Sequence, residues 1–130
     1  MRVLIIDDGP DKKYKWVQEI IVDLGFAYDV AECINQALRN IYKSPKRYQA
    51  LILDMQLPRY MSGVEMVGKG GEEILKRTER KNIIIPTVIN STMPLRDEYF
   101  AKYKSFYGIL PIYNKAFLAK FLEDSQKGIF

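Results

Sequence analysis

Arg2-Val3-Leu4-Ile5-Ile6-Asp7-Asp8 opens the chain with an unbroken apolar run that stops at two acids, and Gly9-Pro10 follow directly. A strand with one face in water alternates apolar and polar residues, and this run does not alternate. It reads as a strand buried on both faces, the pattern of a parallel sheet covered by helices, followed by a turn. Ala50-Leu51-Ile52-Leu53-Asp54 repeats the design, an apolar run ending in an acid.

Outward from these strands the period changes. Val17, Ile20, Ile21 and Leu24 recur at helical spacing, with Asp11 as the expected cap and Gly25 as the stop. Residues 26–31 form a more polar strand, suited to a sheet edge. Ile34, Ala37, Leu38 and Ile41 mark a second amphipathic helix ending at Ser44-Pro45. Beyond Asp54 the pattern predicts a helix over about 72–80, a strand over 83–89 that must accommodate Pro86, a helix over about 95–105, a strand near 109–113 and a last helix near 116–124. Strand and helix thus alternate, which predicts a flavodoxin-like, doubly wound, five-stranded parallel sheet of order 2-1-3-4-5 with helices on both faces. Ligands of such sheets bind beyond the carboxyl ends of the strands at the switch point, here between the first and third strands. Asp7, Asp8 and Asp54 stand there.

Composition narrows the chemistry. A chain of 130 residues, 48% hydrophobic, suits one domain with one core and leaves no room for a second. The net charge of +4 comes from 20 basic and 16 acidic residues scattered along the chain, and without a basic stripe it argues against direct nucleic-acid binding. Cys33 is the single cysteine, so no internal disulfide can form and a reducing, cytoplasmic compartment is expected. The N-terminal apolar run is too short for a leader, and no stretch approaches the roughly 20 apolar residues of a membrane span. The complete absence of histidine excludes histidine general bases and histidine metal ligands.

Three carboxylates converging on one crevice repel: two unit charges ~4 Å apart interact by roughly 4 kcal/mol at an effective dielectric of 20. A cation is needed to balance them, and an all-oxygen donor set suits Mg²⁺. Lys115, placed at the end of the expected fifth strand, adds a further positive charge, so that three aspartates, one lysine and one Mg²⁺ sum to zero. A carboxylate beside a metal and an ammonium group is set up to attack an activated phosphorus, and Asp54, alone at the end of the central strand, is the best nucleophile.

These residues resemble the receiver domain of bacterial response regulators over nearly the whole chain. The resemblance rests on Val3 to Asp8, Leu51 to Asp54 with Leu57-Pro58 following, Pro86 to Ser91, and Lys115 with Phe117 after it. It implies that Asp54 is the phosphoacceptor, that Asp8 binds Mg²⁺ directly and Asp7 indirectly, and that the backbone carbonyl of Gln56 is another ligand. Ser91 matches the hydroxyl residue that turns toward the phosphoryl group, and Lys115 the lysine that pairs with it. The implied partners are a histidine kinase or phosphotransfer protein on one side and a downstream protein on the other, with no membrane contact and with self-association into a homodimer left open. Residues 1–130 are then a single stand-alone receiver without an output domain, catalysing only its own phosphoryl transfer and dephosphorylation.

The chain also departs from that pattern. Residues 59–70 read as an extended loop overhanging the site, Ala116 replaces the proline that follows the lysine, and Ile112 stands where the switching aromatic belongs, with Tyr113 beside it. Gly68, Gly70 and Gly71 lack the lysine and hydroxyl spacing of a phosphate-binding loop and read as a flexible segment. Tyr99, Phe100, Tyr103, Phe106 and Tyr107 recur at helical spacing and read mainly as core, while Trp16 covers a helix flank. The rival readings are an interaction module of the same fold that does not take phosphate, and an aspartyl-nucleophile phosphohydrolase. The latter expects an acid where Gln56 stands.

Overall fold

The computed structural model describes residues 1–9, 14–60, 66–67, 70–92 and 94–128. Five parallel strands form the main sheet: β1 (Arg2–Ile6), β2 (Ala27–Ala31), β3 (Ala50–Leu53), β6 (Thr87–Ile89) and β7 (Phe106–Ile109), in the order β2-β1-β3-β6-β7. Counting these five alone, this is the expected 2-1-3-4-5 order. Successive residues of the central strands serve opposite faces. Leu4, Ile6, Leu51, Leu53 and Ile89 enter one core, and Val3, Ile5, Ala50, Ile52 and Val88 enter the other. That double burial is why these strands carry no polar alternation.

Helices α2 (Ile34–Lys43), α3 (Gly70–Arg80) and the short α4 (Asp97–Phe100) cover the first face, and α1 (Lys15–Asp23) and α5 (Lys115–Lys127) the second. Each buries a stripe at helical spacing: Ile34, Ala37, Leu38 and Ile41 from α2, and Leu118, Phe121 and Leu122 from α5. Such side chains contribute roughly 1.5–3 kcal/mol each when taken fully out of water. Cys33 caps α2, its Sγ accepting from Gln36 N–H at 3.4 Å, and Asn114 caps α5, its Oδ1 accepting from Phe117 N–H at 3.0 Å. Edge strand β2 is polar because Asp29 gathers Arg2 at 2.7 Å, Arg47 at 3.1 Å and the Tyr48 hydroxyl at 2.8 Å.

Several boundaries differ from the expectation. Helix α1 begins at Lys15 with Tyr14 as its N-cap, so Asp11, which lies outside the described residues, is not the residue that immediately precedes the helix. The fourth strand of the sheet is only Thr87–Ile89. Pro86 lacks an N–H and joins the ladder through its carbonyl alone, which accepts from Leu51 N–H at 2.9 Å. The helix expected over 95–105 shrinks to a single turn at Asp97–Phe100 followed by further turns, and the chain therefore reaches β7 at Phe106 instead of 109. The expected loop 59–70 is partly ordered: β4 (Leu57–Pro58) pairs antiparallel with β5 (Met66–Val67), and Gly70 already belongs to α3. Residues 61–65, Gly68 and Lys69 lie outside the described residues.

The two helical glycines do not form a flexible segment. Gly71 N–H donates to the Met55 carbonyl at 2.9 Å, and a Cβ on Gly71 would lie 2.3 Å from the backbone oxygen of Asp54. The helix start is thus pressed against the backbone that carries Asp54. Gly71→Ala is expected to cost about 3 kcal/mol in urea unfolding, the upper range for forcing a methyl group into packed surroundings. Gly9→Ala, where the new Cβ meets nothing within 4 Å, should stay within about 0.5 kcal/mol of the parent.

Candidate metal centre and acidic pocket

The β1–β3 register builds the site. Ile6 pairs with Leu53, and one step past both strands Asp54 N–H donates to the Ile6 carbonyl at 2.9 Å, while on its other side β1 is extended along β2 by Asp7 N–H, which donates to the Ala31 carbonyl at 2.8 Å. Asp7 and Asp54 are therefore held side by side, each at the first position after its strand. Asp7, Asp8 and Asp54 each offer a carboxylate oxygen within 4.8 Å of the others. Asp7 and Asp54 are buried, and Asp8 is exposed at the mouth.

Charges at that separation repel by about 3.5 kcal/mol per pair at an effective dielectric of about 20. Burial pushes the Asp7 carboxyl above the usual aspartate range, and the neighbouring Asp8 adds to the rise. Hydrogen bonds from Gly9 N–H, at 2.8 Å, and from the Tyr14 hydroxyl, together with one shared with Asp54, work against it without winning. Tyr14 is itself buried and surrounded by this negative charge, which drives its phenol far above the usual tyrosine range, so it stays a neutral donor. No spacing signal marks Tyr14 in the sequence, since it follows a polar stretch and precedes the helix stripe. The donor set is all oxygen and closely grouped, which fits a hard divalent cation such as Mg²⁺.

The remaining candidates surround this cluster unevenly. Gln56 N–H donates to Asp54 Oδ1 at 3.2 Å, fixing the turn that would present the Gln56 carbonyl. Ser91 follows Asn90, whose N–H extends the ladder by donating to the Leu53 carbonyl at 2.8 Å, so it too stands beyond a strand end. Lys115 does not. Strand β7 ends at Ile109, and after Leu110 makes the last rung to Ile89 at 2.8 Å, Pro111 has no N–H with which to continue. Lys115 is the first residue of α5, with an exposed side chain, and no cis peptide precedes Ala116. Ile112 and Tyr113 lie on the intervening loop, 70% and 69% exposed, instead of on alternating strand faces. Tyr113 adopts a left-handed φ of 56° and sets its ring 5.7 Å from that of Trp16.

Sequence reasoning also missed a second carboxylate. Glu72, in the first turn of α3, is buried and accepts from the Tyr99 hydroxyl at 3.0 Å and from the Tyr103 hydroxyl, with Lys102 at 3.8 Å. Burial alone would raise its pKa, yet the two phenols and the nearby lysines hold it below the usual glutamate range. Phe100 and Tyr103 are buried as expected of core aromatics, while Tyr99 is 42% exposed.

No protein-family model matches the sequence, and no curated protein matches it. Solved structures do. A response regulator receiver domain protein from Methanospirillum hungatei superposes with a TM-score of 0.71 at 16% identity, covering 97% of this chain and 94% of that one. A response regulator from Thermotoga maritima, solved with Mg²⁺ and BeF, gives 0.67 at 20% identity, covering 95% and 97%. The receiver domain of a Francisella response regulator gives 0.68 at 20%, with 98% of each chain covered. The fold is that of a response regulator receiver domain. Within that receiver fold the three aspartates occupy the switch-point crevice, as the strand order requires.

A pH test follows from Asp7. With its folded pKa above the unfolded one, the folded state binds more protons between the two values, so stability falls as pH rises through that window and stays reduced above it. Asp7→Asn is expected to raise the melting temperature in metal-free buffer at pH 7 and to flatten this dependence. An unchanged melting temperature would show that the carboxylates are not in conflict.

Proposed function

We propose that the chain is a phosphoacceptor receiver of two-component or phosphorelay signalling, phosphorylated on Asp54 in a Mg²⁺-dependent reaction that controls binding of a protein partner. One observation carries the reading: three carboxylates gathered within 4.8 Å at the switch point of a receiver fold. Asp7, Asp8 and Asp54, with the Gln56 carbonyl, are the residues that would hold the metal. Bound Mg²⁺ supplies positive charge to the oxygens of the transferring phosphoryl group.

Asp54 is the nucleophile. A carboxylate oxygen forms the new bond to phosphorus as the bond to the donor breaks, and the electron pair leaves with the donor. The donor is a phosphohistidine of a kinase or phosphotransfer protein, or a small acyl phosphate. Ser91 turns its hydroxyl toward the bound phosphoryl group. Lys115 reaches it only if the loop carrying Ile112 and Tyr113 brings the start of α5 closer, which makes that loop and α4 the two-state element. Such a module is not a turnover enzyme. The cytoplasm, where its kinase and partner operate, is its proposed location, and no described helix is long and apolar enough to cross a membrane.

A second reading is favoured by the position of Lys115, which begins α5 instead of ending a strand: a phosphate-independent interaction module of the same fold. Incubation with acetyl phosphate and Mg²⁺, followed by intact mass, separates the two. The receiver reading expects one added phosphoryl group, absent without Mg²⁺ and absent in Asp54→Asn, with Ser91→Ala and Lys115→Ala retaining the adduct but losing its effect on partner binding. A folded wild type that binds Mg²⁺ yet gains no mass from either acetyl phosphate or a phosphorylated transfer protein supports the second reading.

A further inference from the structure

Where the chain leaves α2 and enters β3 lies a cleft of about 360 Å³ lined by Asp29, Asn40, Lys43, Ser44, Arg47 and Tyr48. Its volume is at the small end of ligand-binding clefts. It sits toward the end of the sheet where β3 begins, whereas Asp54 follows the opposite end of that strand. The cleft shares no lining residue with the aspartate cluster.

Its charged groups are held in place by one another. Burial alone would raise the Asp29 carboxyl, yet the Tyr48 hydroxyl and the guanidinium groups of Arg47 and Arg2 hold it below the usual aspartate range, so it stays ionised at neutral pH. Asp29 in turn pins Arg47 through Nε at 3.1 Å, and the guanidinium lies 5.9 Å from the centre of the Tyr48 ring. A guanidinium carries five N–H donors, and Asp29 takes one, so an oriented fork is left over. Beside it the Asn40 amide, the Lys43 ammonium and the Ser44 hydroxyl line the cleft and make no side-chain hydrogen bond or ion pair with any described residue. Arg2, Arg47 and Lys43 surround a single carboxylate, a surplus of two positive charges, and the carboxyl end of α2 lowers it to roughly +1.5. Exposed lysines alone attract anions weakly, but a fixed fork with neutral donors beside it is a recognition geometry.

We propose that this cleft binds a small phosphomonoester, its phosphate group held by Arg47, Lys43 and Ser44 and the rest of the molecule filling the remaining volume. A phosphomonoester carries about −1.5 to −2 charges at neutral pH and three acceptor oxygens, which matches both the surplus charge and the number of donors. The planar fork of Arg47 suits two phosphate oxygens at once, and Lys43 acts as a point charge beside it. A carboxylate, with one charge and two oxygens, would leave the cleft only partly balanced. The site is separate from phosphoryl transfer to Asp54 and does not rest on it.

The intact chain is titrated by calorimetry with ribose 5-phosphate, with ribose as the uncharged counterpart and with succinate as a dicarboxylate. Mg²⁺ is left out, so that no metal draws phosphate to the aspartate cluster. Amide resonances of Asn40 and Ser44 are followed in parallel. Saturable binding of ribose 5-phosphate that shifts these resonances is expected, with ribose and succinate at least about tenfold weaker. Arg47→Ala and Lys43→Ala should each lose at least about tenfold in affinity, while Lys120→Ala, on α5 across the sheet, should bind like the parent. Lys43 is exposed and makes no ion pair among the described residues, so its replacement keeps the fold if Arg47→Ala does not. The proposal is overturned if ribose 5-phosphate does not saturate, if ribose or succinate binds as tightly, if saturation leaves Asn40 and Ser44 unmoved, or if Lys120→Ala weakens binding as much as Lys43→Ala.

Discussion

The parallel pairing of β1 with β3 is the constraint on which the rest of this molecule depends. Because Ile6 lies opposite Leu53 and the next rung is closed by Asp54 N–H on the Ile6 carbonyl, the first residue after each strand is an aspartate, and the two are forced together. A slip of one residue would turn the apolar sets of both strands toward the wrong core, since Leu4 and Ile6 serve one face and Val3 and Ile5 the other. The hydrophobic cores thus fix the position of the charges. The site is a by-product of register that the cores enforce.

Holding the charges there is unfavourable, and the surroundings manage it only in part. Gly9 N–H and the Tyr14 hydroxyl donate to Asp7, yet burial and Asp8 still push its carboxyl upward. From behind, the start of α3 closes on the Asp54 backbone so tightly that only glycine fits at position 71. A pocket rigid in its backbone and crowded with carboxylate oxygens is preorganised for a cation and for chemistry that needs one. The same molecule balances a buried carboxylate elsewhere without help, at Glu72, where the two tyrosine hydroxyls and Lys102 are in place. The contrast lies in the partners supplied, not in burial.

Much of this was legible in the sequence, for a physical reason. Runs such as Val3 to Ile6 and Leu51 to Leu53 are buried on both faces, so composition alone announces them, and an acid directly after each marks the strand end. The C-terminal half was read less well because local pattern there yields to backbone hydrogen bonding. Pro86 and Pro111 cut the ladder, the aromatic stretch after Asp97 packs as turns around Phe100 and Tyr103 instead of a long helix, and β7 arrives early. Lys115 was consequently placed at the end of a strand when it begins a helix. Tyr14 and Glu72 carried no sequence signal, since each acts through side chains outside its own element.

The account rests on the claim that the aspartate cluster holds a hard divalent cation. The most direct test is isothermal titration of the purified chain with Mg²⁺ at neutral and at mildly acidic pH, beside Asp54→Asn. The structure predicts one saturable site that weakens as the pH falls toward the raised pKa of Asp7 and is lost or greatly weakened without Asp54, because proton and metal compete for the same oxygens. A folded wild type that takes up no Mg²⁺ at either pH, or that binds it equally well in Asp54→Asn, would contradict the account.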